Sequence, residues 1–580
     1  MSQLENLRSA KNRKELASLL GFQPSALTSI IYKTPLADRY STFEIPKKSG
    51  GTRTIKAPND KLKKLQRHLA HLLYNCLAEI EDELSIASVS YGFRQNGSII
   101  ANAKNHKRRR YVLNIDIENF FPSFHFGRVR GFFLKNKFFA LEDEVATTIA
   151  QIACDGEALP QGSPCSPVIS ELIANILDLR LLRLAKEHGV RYSRYADDLT
   201  FSTNSKKFPD AIASEGALGN WTLGNELVEE IDDAWFTINH AKTRMHCRGN
   251  RQLVTGLVVN EKANIKSEYY RNARAMCDSL FTQGRYYKSK TSPEDADAVP
   301  QPIWTSNLNP LEGILSHIYD VTQSEERRPV PEQRNAPRAI RALYRRFLFY
   351  KKCVALTAPL IITEGKTDPI YLREAIRHRN VFQPVLGSMG DEAFEFAVNF
   401  FNYEGSSHEL MDLGGGSGDL RSIPLDYRRN LAPAKEKKRK PMIHTPMSYP
   451  VILVLDNDDG LSAVTGTIKK NFGVQIDKTT TDDFYQVIQN LYVVKVPETT
   501  SDAQIESLFP DSVQSIKLNG KAFSTKDKID PEKEYSKAIF AKSVVRPNAD
   551  KIDFSGFDPL LHRIVAAIDH YDANGPKAFS

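Results

Sequence analysis

The stretch Arg191–Asn204, RYSRYADDLTFSTN, sets Asp197 and Asp198 side by side among aromatic and aliphatic residues. Tyr195, Ala196, Leu199, Thr200 and Phe201 have the composition of a strand that packs on a core. Two adjacent carboxylates there repel each other, and desolvating them is costly unless a cation or donor compensates. A solvated Asp-Asp hairpin tip is the plain structural reading. The decision therefore rests on the surrounding chain.

Upstream, RRYVLNIDIENFFPSF (109–124) predicts a strand over Val112–Ile117 with one acid, Asp116, inside it. An acid in an apolar strand has either a partnered structural role or a metal role. Two acid-bearing strands about eighty residues apart can bring Asp116 against Asp197 and Asp198. Three convergent carboxylates suit two Mg²⁺ ions, because hard cations take oxygen ligands. Paired divalent ions are in turn the device for in-line phosphoryl transfer.

With these residues in view, the sequence resembles the reverse transcriptases. YADD (195–198) resembles their catalytic hairpin and DIENFF (116–121) the strand with their other metal ligand. Between them, LPQGSPCSP (159–167) resembles the turn and helix that support template and nucleotide. IPKKSGGTRTIKAP (45–58) resembles the fingers hairpin, and INHAKTR (238–244) the segment after the catalytic hairpin. The five motifs stand in family order. The resemblance implies that Asp116, Asp197 and Asp198 are catalytic and hold two Mg²⁺ ions. It also gives Arg53 a contact to the triphosphate, and lets Gln161 and Gly162 line the nucleotide site. Phe121 would block a ribose 2′-hydroxyl and so favour dNTPs; its plain alternative is a core phenylalanine, as Phe120 is expected to be. Lys242 would protonate or neutralise the leaving pyrophosphate, against the alternative of a surface lysine near a strand end.

Two shorter pieces narrow the resemblance to retron reverse transcriptases: NAKNH (102–106) and the VTG of LVTGLVVN (253–260). The N-terminal LASLLGFQPSALTSIIY (16–32) is also similar, and the likeness runs over about residues 1–354. It implies that Asn102, His106, Val254, Thr255 and Gly256 bind RNA or msDNA; for His106 the structural alternative is a helix cap. It further implies a cognate non-coding RNA (msr-msd) copied from a guanosine 2′-hydroxyl primer, giving a branched RNA–DNA product, msDNA. The rival within the class is a group II intron-like reverse transcriptase. Such proteins carry a maturase region and often an HNH-type endonuclease, and the later part of this chain has no paired cysteines or His-rich metal spacing.

A second acidic set lies further along the chain. PLIITEGKTD (359–368) puts Glu364 at a strand end with Asp368 opening a helix, and VILVLDNDDG (451–460) puts Asp456 and Asp458 after another apolar run. In open α/β sheets ligands bind at the C-terminal strand ends. Helix capping is the alternative for each acidic turn taken alone. The pair resembles the TOPRIM fold of topoisomerases, primases and overcoming-lysogenization-defect nucleases. That resemblance implies Glu364 as general acid or base and Asp456 and Asp458 on one or two Mg²⁺ ions. Asp368 and, in IESLFP, Glu506 are further candidates; Lys542 reads as a surface lysine. The implied effector is a Mg²⁺-dependent nuclease acting on a nucleic-acid target in anti-phage defence, or alternatively a non-catalytic binding module.

Composition bounds the rest. The chain has 580 residues, 41% hydrophobic and 26% charged, with net charge +8, as expected for a globular multidomain protein. Six scattered cysteines without a CxxC pair suggest neither zinc nor disulfides and fit a reducing cytoplasm. The charged N-terminus reads as an amphipathic helix, with no signal peptide and no membrane span expected. Basic runs KNHKRRR (104–110) and KEKKRK (435–440) are candidate phosphate contacts or solvated faces. The expected fold class is multidomain, α+β and α/β: a right-hand reverse transcriptase followed by a TOPRIM domain. Residues 1–285 would form N-terminal helices, fingers and palm, 286–355 the thumb and connecting helix, and 356–580 the TOPRIM domain with a C-terminal helical extension. Homo-oligomers are compatible with this plan.

Overall fold

A computed structural model describes residues 2–47, 51–84, 88–217, 220–290, 302–403, 405–414, 417–432, 440–498, 502–526 and 528–576. The basic run 435–440 lies outside these residues except for Lys440. The chain divides into two compact units, Met1–Lys266 with Val321–Glu325, and Ser267–Asp320 with Glu326–Ser580.

In the first unit the N-terminus forms two short helices, Gln3–Ser9 and Arg13–Leu19, rather than one. Ser2 and Glu5 make a capping box, Ala10 is extended, and Asn12 restarts the helix by accepting the amides of Lys14 and Glu15. A hairpin, Tyr40–Pro46 with Thr52–Pro58, precedes the long helix Asp60–Leu84. The centre is a four-stranded antiparallel sheet in the order Arg191–Tyr195, Asp198–Thr203, Tyr111–Glu118, Thr237–Cys247. The expected Val112–Ile117 strand is its third member. Helix Ser166–Glu187 buries thirteen of its residues against this sheet's core, among them Glu171 and Asp178.

The second unit begins at helix Ser267–Gln283, earlier than the expected boundaries at 285 and 355. The cause is packing: Phe281 rests on Tyr350 and beneath Arg346, which ties the helix to the second unit. Tyr286–Lys290 and Pro302–Thr305 pair as antiparallel strands. Helices follow at Leu308–Gln323 and Ala339–Phe349, within the stretch expected to hold the thumb and connecting helix. The two apolar runs become Leu360–Thr363 and Val451–Leu455 in a five-stranded sheet. Its order is Asn399–Phe400, Leu360–Thr363, Val451–Leu455, Leu491–Lys495, Tyr485–Ile488, parallel except for the last pair. Central strands buried along their whole length explain the unbroken apolar runs. Helix Asp558–Asn574 packs Leu560, Leu561 and Ile564 into the same core. No described helix is long and apolar enough to cross a membrane.

Candidate active sites

In the first unit, strand register brings the acids together. Asp116 lies directly opposite Asp198, with Asn239 on its other side beyond a bulge. The hairpin turn is Ala196-Asp197, with Ala196 at φ +55°. That left-handed backbone costs a non-glycine residue roughly 1 kcal/mol, so other contacts must hold it. The Asp197 carbonyl accepts the Ile117 amide at 3.0 Å. Gly92 lies so close beneath the turn that a Cβ there would stand 2.4 Å from the Ala196 nitrogen. Behind the turn, the fully buried Arg194 donates to the Ala196 carbonyl at 3.1 Å. It also pairs with Glu171 and Asp178, at 2.8 and 2.7 Å. Ser90, Arg94 and Tyr192 satisfy further oxygens of the two acids.

The Lys242 ammonium sits 3.0 Å from both Asp116 oxygens, and the Asn239 amide donates to one of them at 3.1 Å. Lys242 is thus a mid-strand residue bonded to the acid, not a free surface lysine. Burial, followed by the charges of Asp197 and Asp116, pushes Asp198 up to about 7. Asp197 is raised chiefly by burial, with the Arg53 charge acting to lower it. This set wants positive charge. Among the described residues no three His, Cys, Asp or Glu side chains are gathered at metal-ligand spacing, and the cation meeting Asp116 is lysine.

The fingers hairpin meets the Gln161-Gly162 turn directly: the Lys56 amide donates to the Gln161 carbonyl. Gly162, at φ +123°, lies where a Cβ would stand 2.6 Å from the Lys56 oxygen, so only glycine fits. Arg53 is exposed on the same strand. Phe120 is core, stacked on Phe236, whereas Phe121 is half-buried against Phe93.

The expectation that Asn102 and His106 touch RNA is corrected. Both are completely buried. His106 closes helix Ile99–Asn105 and bonds Ser202 through Nδ1 (2.7 Å) and Ser193 through Nε2 (2.6 Å). Ser193 in turn donates to Asn102 at 2.5 Å. Protein fills every approach to these groups, so they clamp the hairpin that carries Asp197 from behind. Val254 is core. Thr255 and Gly256, at φ +46° and +83°, form a turn that borders a cavity of about 370 Å³ shared with Tyr195, Asp198 and Lys242.

In the second unit, Glu364 and Asp456 directly follow their strands. Asp368 folds back to accept the Gly365 amide at 2.7 Å; a Cβ on Gly365 would stand 2.5 Å from the Asp368 carboxylate. Asp456 accepts the Ile505 amide, which anchors the turn carrying Glu506. Asp368 is pushed up to about 7 by burial and then by Glu506, while Asp456 is raised by burial, Asp368, Glu364 and Glu506. Glu364, Asp368, Asp456 and Glu506 therefore share one field. Its counter-cation is Lys537, 3.0 Å from Glu506, a residue with no distinguishing mark in the sequence. Asp458 instead accepts the Gly460 amide and the Gln504 side chain. Lys542 is exposed.

The family model for reverse transcriptase (RNA-dependent DNA polymerase) matches residues 45–269. The retron Mx65 reverse transcriptase of Myxococcus xanthus is 32% identical over 286 residues, 46% of this chain and 62% of that protein. The retron Ec86 reverse transcriptase of Escherichia coli is 32% identical over 271 residues, 47% of this chain and 78% of that protein. The telomerase structure from Candida albicans with a fragment of telomeric RNA aligns at TM-score 0.30 and 10% identity, covering 56% of this chain and 62% of that one. The match of residues 45–269 to the family model gives the first unit a reverse transcriptase fold. The chain belongs to the family of retron reverse transcriptases, and it spans less than two thirds of the Mx65 relative's length.

Replacing Arg194 by Met strands two buried carboxylates and should lower the stability of the first unit by about 3–5 kcal/mol, measured by chemical denaturation. Arg194→Lys, lacking the fork, should recover under half of that loss. His106 gives a pH signature. Burial first, then Arg109 and Arg191, depress it to about 3, below its unfolded value, so the unfolded chain binds the proton first. Stability should fall as pH drops from about 6.5, by about 1.4 kcal/mol per unit. In acid titrations His106→Gln should lack that increment.

Proposed function

We propose that this chain is an RNA-directed DNA polymerase that makes msDNA. The template would be a cognate msr-msd RNA and the primer its guanosine 2′-hydroxyl. The observation that carries the reading is the register of Asp116 opposite Asp198, with Asp197 in the adjoining turn, in a chain of the retron family. Asp116, Asp197 and Asp198 fit Mg²⁺ by charge and oxygen chemistry, and Asp197 and Asp198 are raised first by burial and then by their neighbouring carboxylates. Two such ions, when bound, supply Lewis-acid activation of the attacking hydroxyl and charge neutralisation at the leaving pyrophosphate. Arg53 offers its exposed guanidinium to the triphosphate, and the Gln161-Gly162 turn lets the nucleotide approach the backbone. Phe121 presents a ring that excludes a 2′-hydroxyl. Lys242, held at 3.0 Å from Asp116, neutralises negative charge at the reacting phosphates. Thr255 and Gly256 remain candidates for nucleic-acid contact, since their turn borders the cavity at Asp198.

For the second unit we infer a TOPRIM effector that cuts nucleic acid in anti-phage defence. Acids at the ends of adjacent parallel strands support this reading. Glu364, Asp456 and Asp458 would serve as the resemblance implies, with Asp368 and Glu506 in support. The buried Glu506 Oε1 has no hydrogen-bond partner, which suits one or two Mg²⁺ ions at this site.

Asp197→Asn should abolish DNA synthesis on the cognate RNA, scored as loss of the branched product on a denaturing gel; residual synthesis above about 1% would sink the assignment. Glu364→Gln should leave msDNA yield unchanged and remove growth arrest on expression. Arrest that persists in this variant would point to the non-catalytic binding module.

A further inference from the structure

The second unit contains a cavity of about 710 Å³ whose walls include none of the carboxylates of its candidate site. Six cations line it: Arg334, Arg345, Arg421, Arg428, Arg429 and Lys470. Only two lining acids, Asp412 and Asp419, oppose them. The cations come from four separate helices, Val330–Asn335, Ala339–Phe349, Ser422–Leu431 with its N-cap, and Leu461–Phe472. One solvated helix face would not produce this convergence.

Part of the wall is preorganised. Arg345 is held by Asp412 and by the buried Asp426, and Arg334 by Asp412 at 3.2 Å. Arg421 and Lys470, by contrast, are exposed and have no ion-pair partner among the described residues. The floor is left open by Gly466, where an added Cβ would meet nothing within 4 Å. Ser422, Thr467 and Asn471 also line it, but their side chains donate to the Met411, Ala463 and Thr467 carbonyls, so the open donors are the cations. The lining has no aromatic side chain, and its apolar side chains are Leu425 and Ala463.

Guanidinium forks and hydroxyl or amide donors are the groups that hold phosphate oxygens. Without a ring to stack on, the base of a free nucleotide has no platform here, and contacts to phosphate carry no sequence information. Nor is there an apolar pocket to receive the side chains of an acidic peptide. We propose that this cavity holds the sugar–phosphate backbone of a nucleic-acid strand, irrespective of sequence. Its walls contain no residue of either carboxylate cluster.

The test uses the full-length protein and a fluorescein-labelled 30-nucleotide single-stranded DNA of mixed sequence. Gly466→Glu places an acid in the open floor, and Glu is a better helix former than Gly, so folding is preserved. It should weaken binding at least tenfold, while Gly466→Ala stays within about twofold. The Arg421→Gln/Lys470→Gln double variant should flatten the log–log salt dependence by about 1.4, two contacts at roughly 0.7 each. The oligonucleotide should also protect Lys470 from acetylation in the parent protein. Unchanged affinity and slope in both charge-altering variants, with Lys470 unprotected, would overturn the proposal. So would protection of Lys470 by inorganic triphosphate or polyglutamate at concentrations where the oligonucleotide gives none.

Discussion

One buried guanidinium underlies the geometry of the first unit. Arg194 lies fully enclosed between Glu171 and Asp178 of helix Ser166–Glu187 and still reaches the Ala196 carbonyl. Enclosing a cation is tolerable only if its counter-charges and donors are all in place. Arg94, Ser90 and Tyr192 complete that arrangement around the same two acids. The helix, the hairpin and the segment before it are thereby tied to one point directly behind the Asp197 turn. The turn can hold a left-handed alanine because its surroundings leave it no cheaper conformation.

The two carboxylate clusters reach similar electrostatics by different routes. In the first unit, antiparallel register alone sets Asp116 against Asp198. In the second, parallel strands deliver Glu364 and Asp456 to the same edge, and a hydrogen bond from Ile505 brings Glu506 to them. Each cluster contains acids raised by burial and mutual repulsion, and each is met by a single lysine, Lys242 or Lys537. The polymerase lysine is exposed and the other partly enclosed, so the first cluster is the more open to exchange with solvent cations.

Much of this was legible in the sequence because apolar runs and their acids are local signals. Val112–Ile117, Leu360–Thr363 and Val451–Leu455 announce themselves as strands, and the acids inside or after them as candidates. Partners that meet only through tertiary packing were hidden. Arg194 looked like one more residue of a hairpin, although Glu171 and Asp178, seven apart among the apolar residues of one helix, were a readable hint. Lys537 stands some thirty residues beyond Glu506 with no periodic mark. Asn102 and His106 were visible as a pattern, but a pattern cannot tell an exposed contact from a buried clamp. Only the bonds to Ser193 and Ser202 decide that.

The segment Val321–Glu325 makes the chain leave the first unit, return to it and leave again. Val321 completes a small core with Val112 and Val254, and Glu325 pairs with Lys107 at 3.0 Å. Its neighbour Glu326 bonds Arg328 and Arg338 in the second unit. One of the three crossings between the units thus falls on the peptide bond between two glutamates. The first unit is not a contiguous stretch of chain: a single cut after Lys266 would leave Val321–Glu325 behind, and with it the Val321 share of the small core.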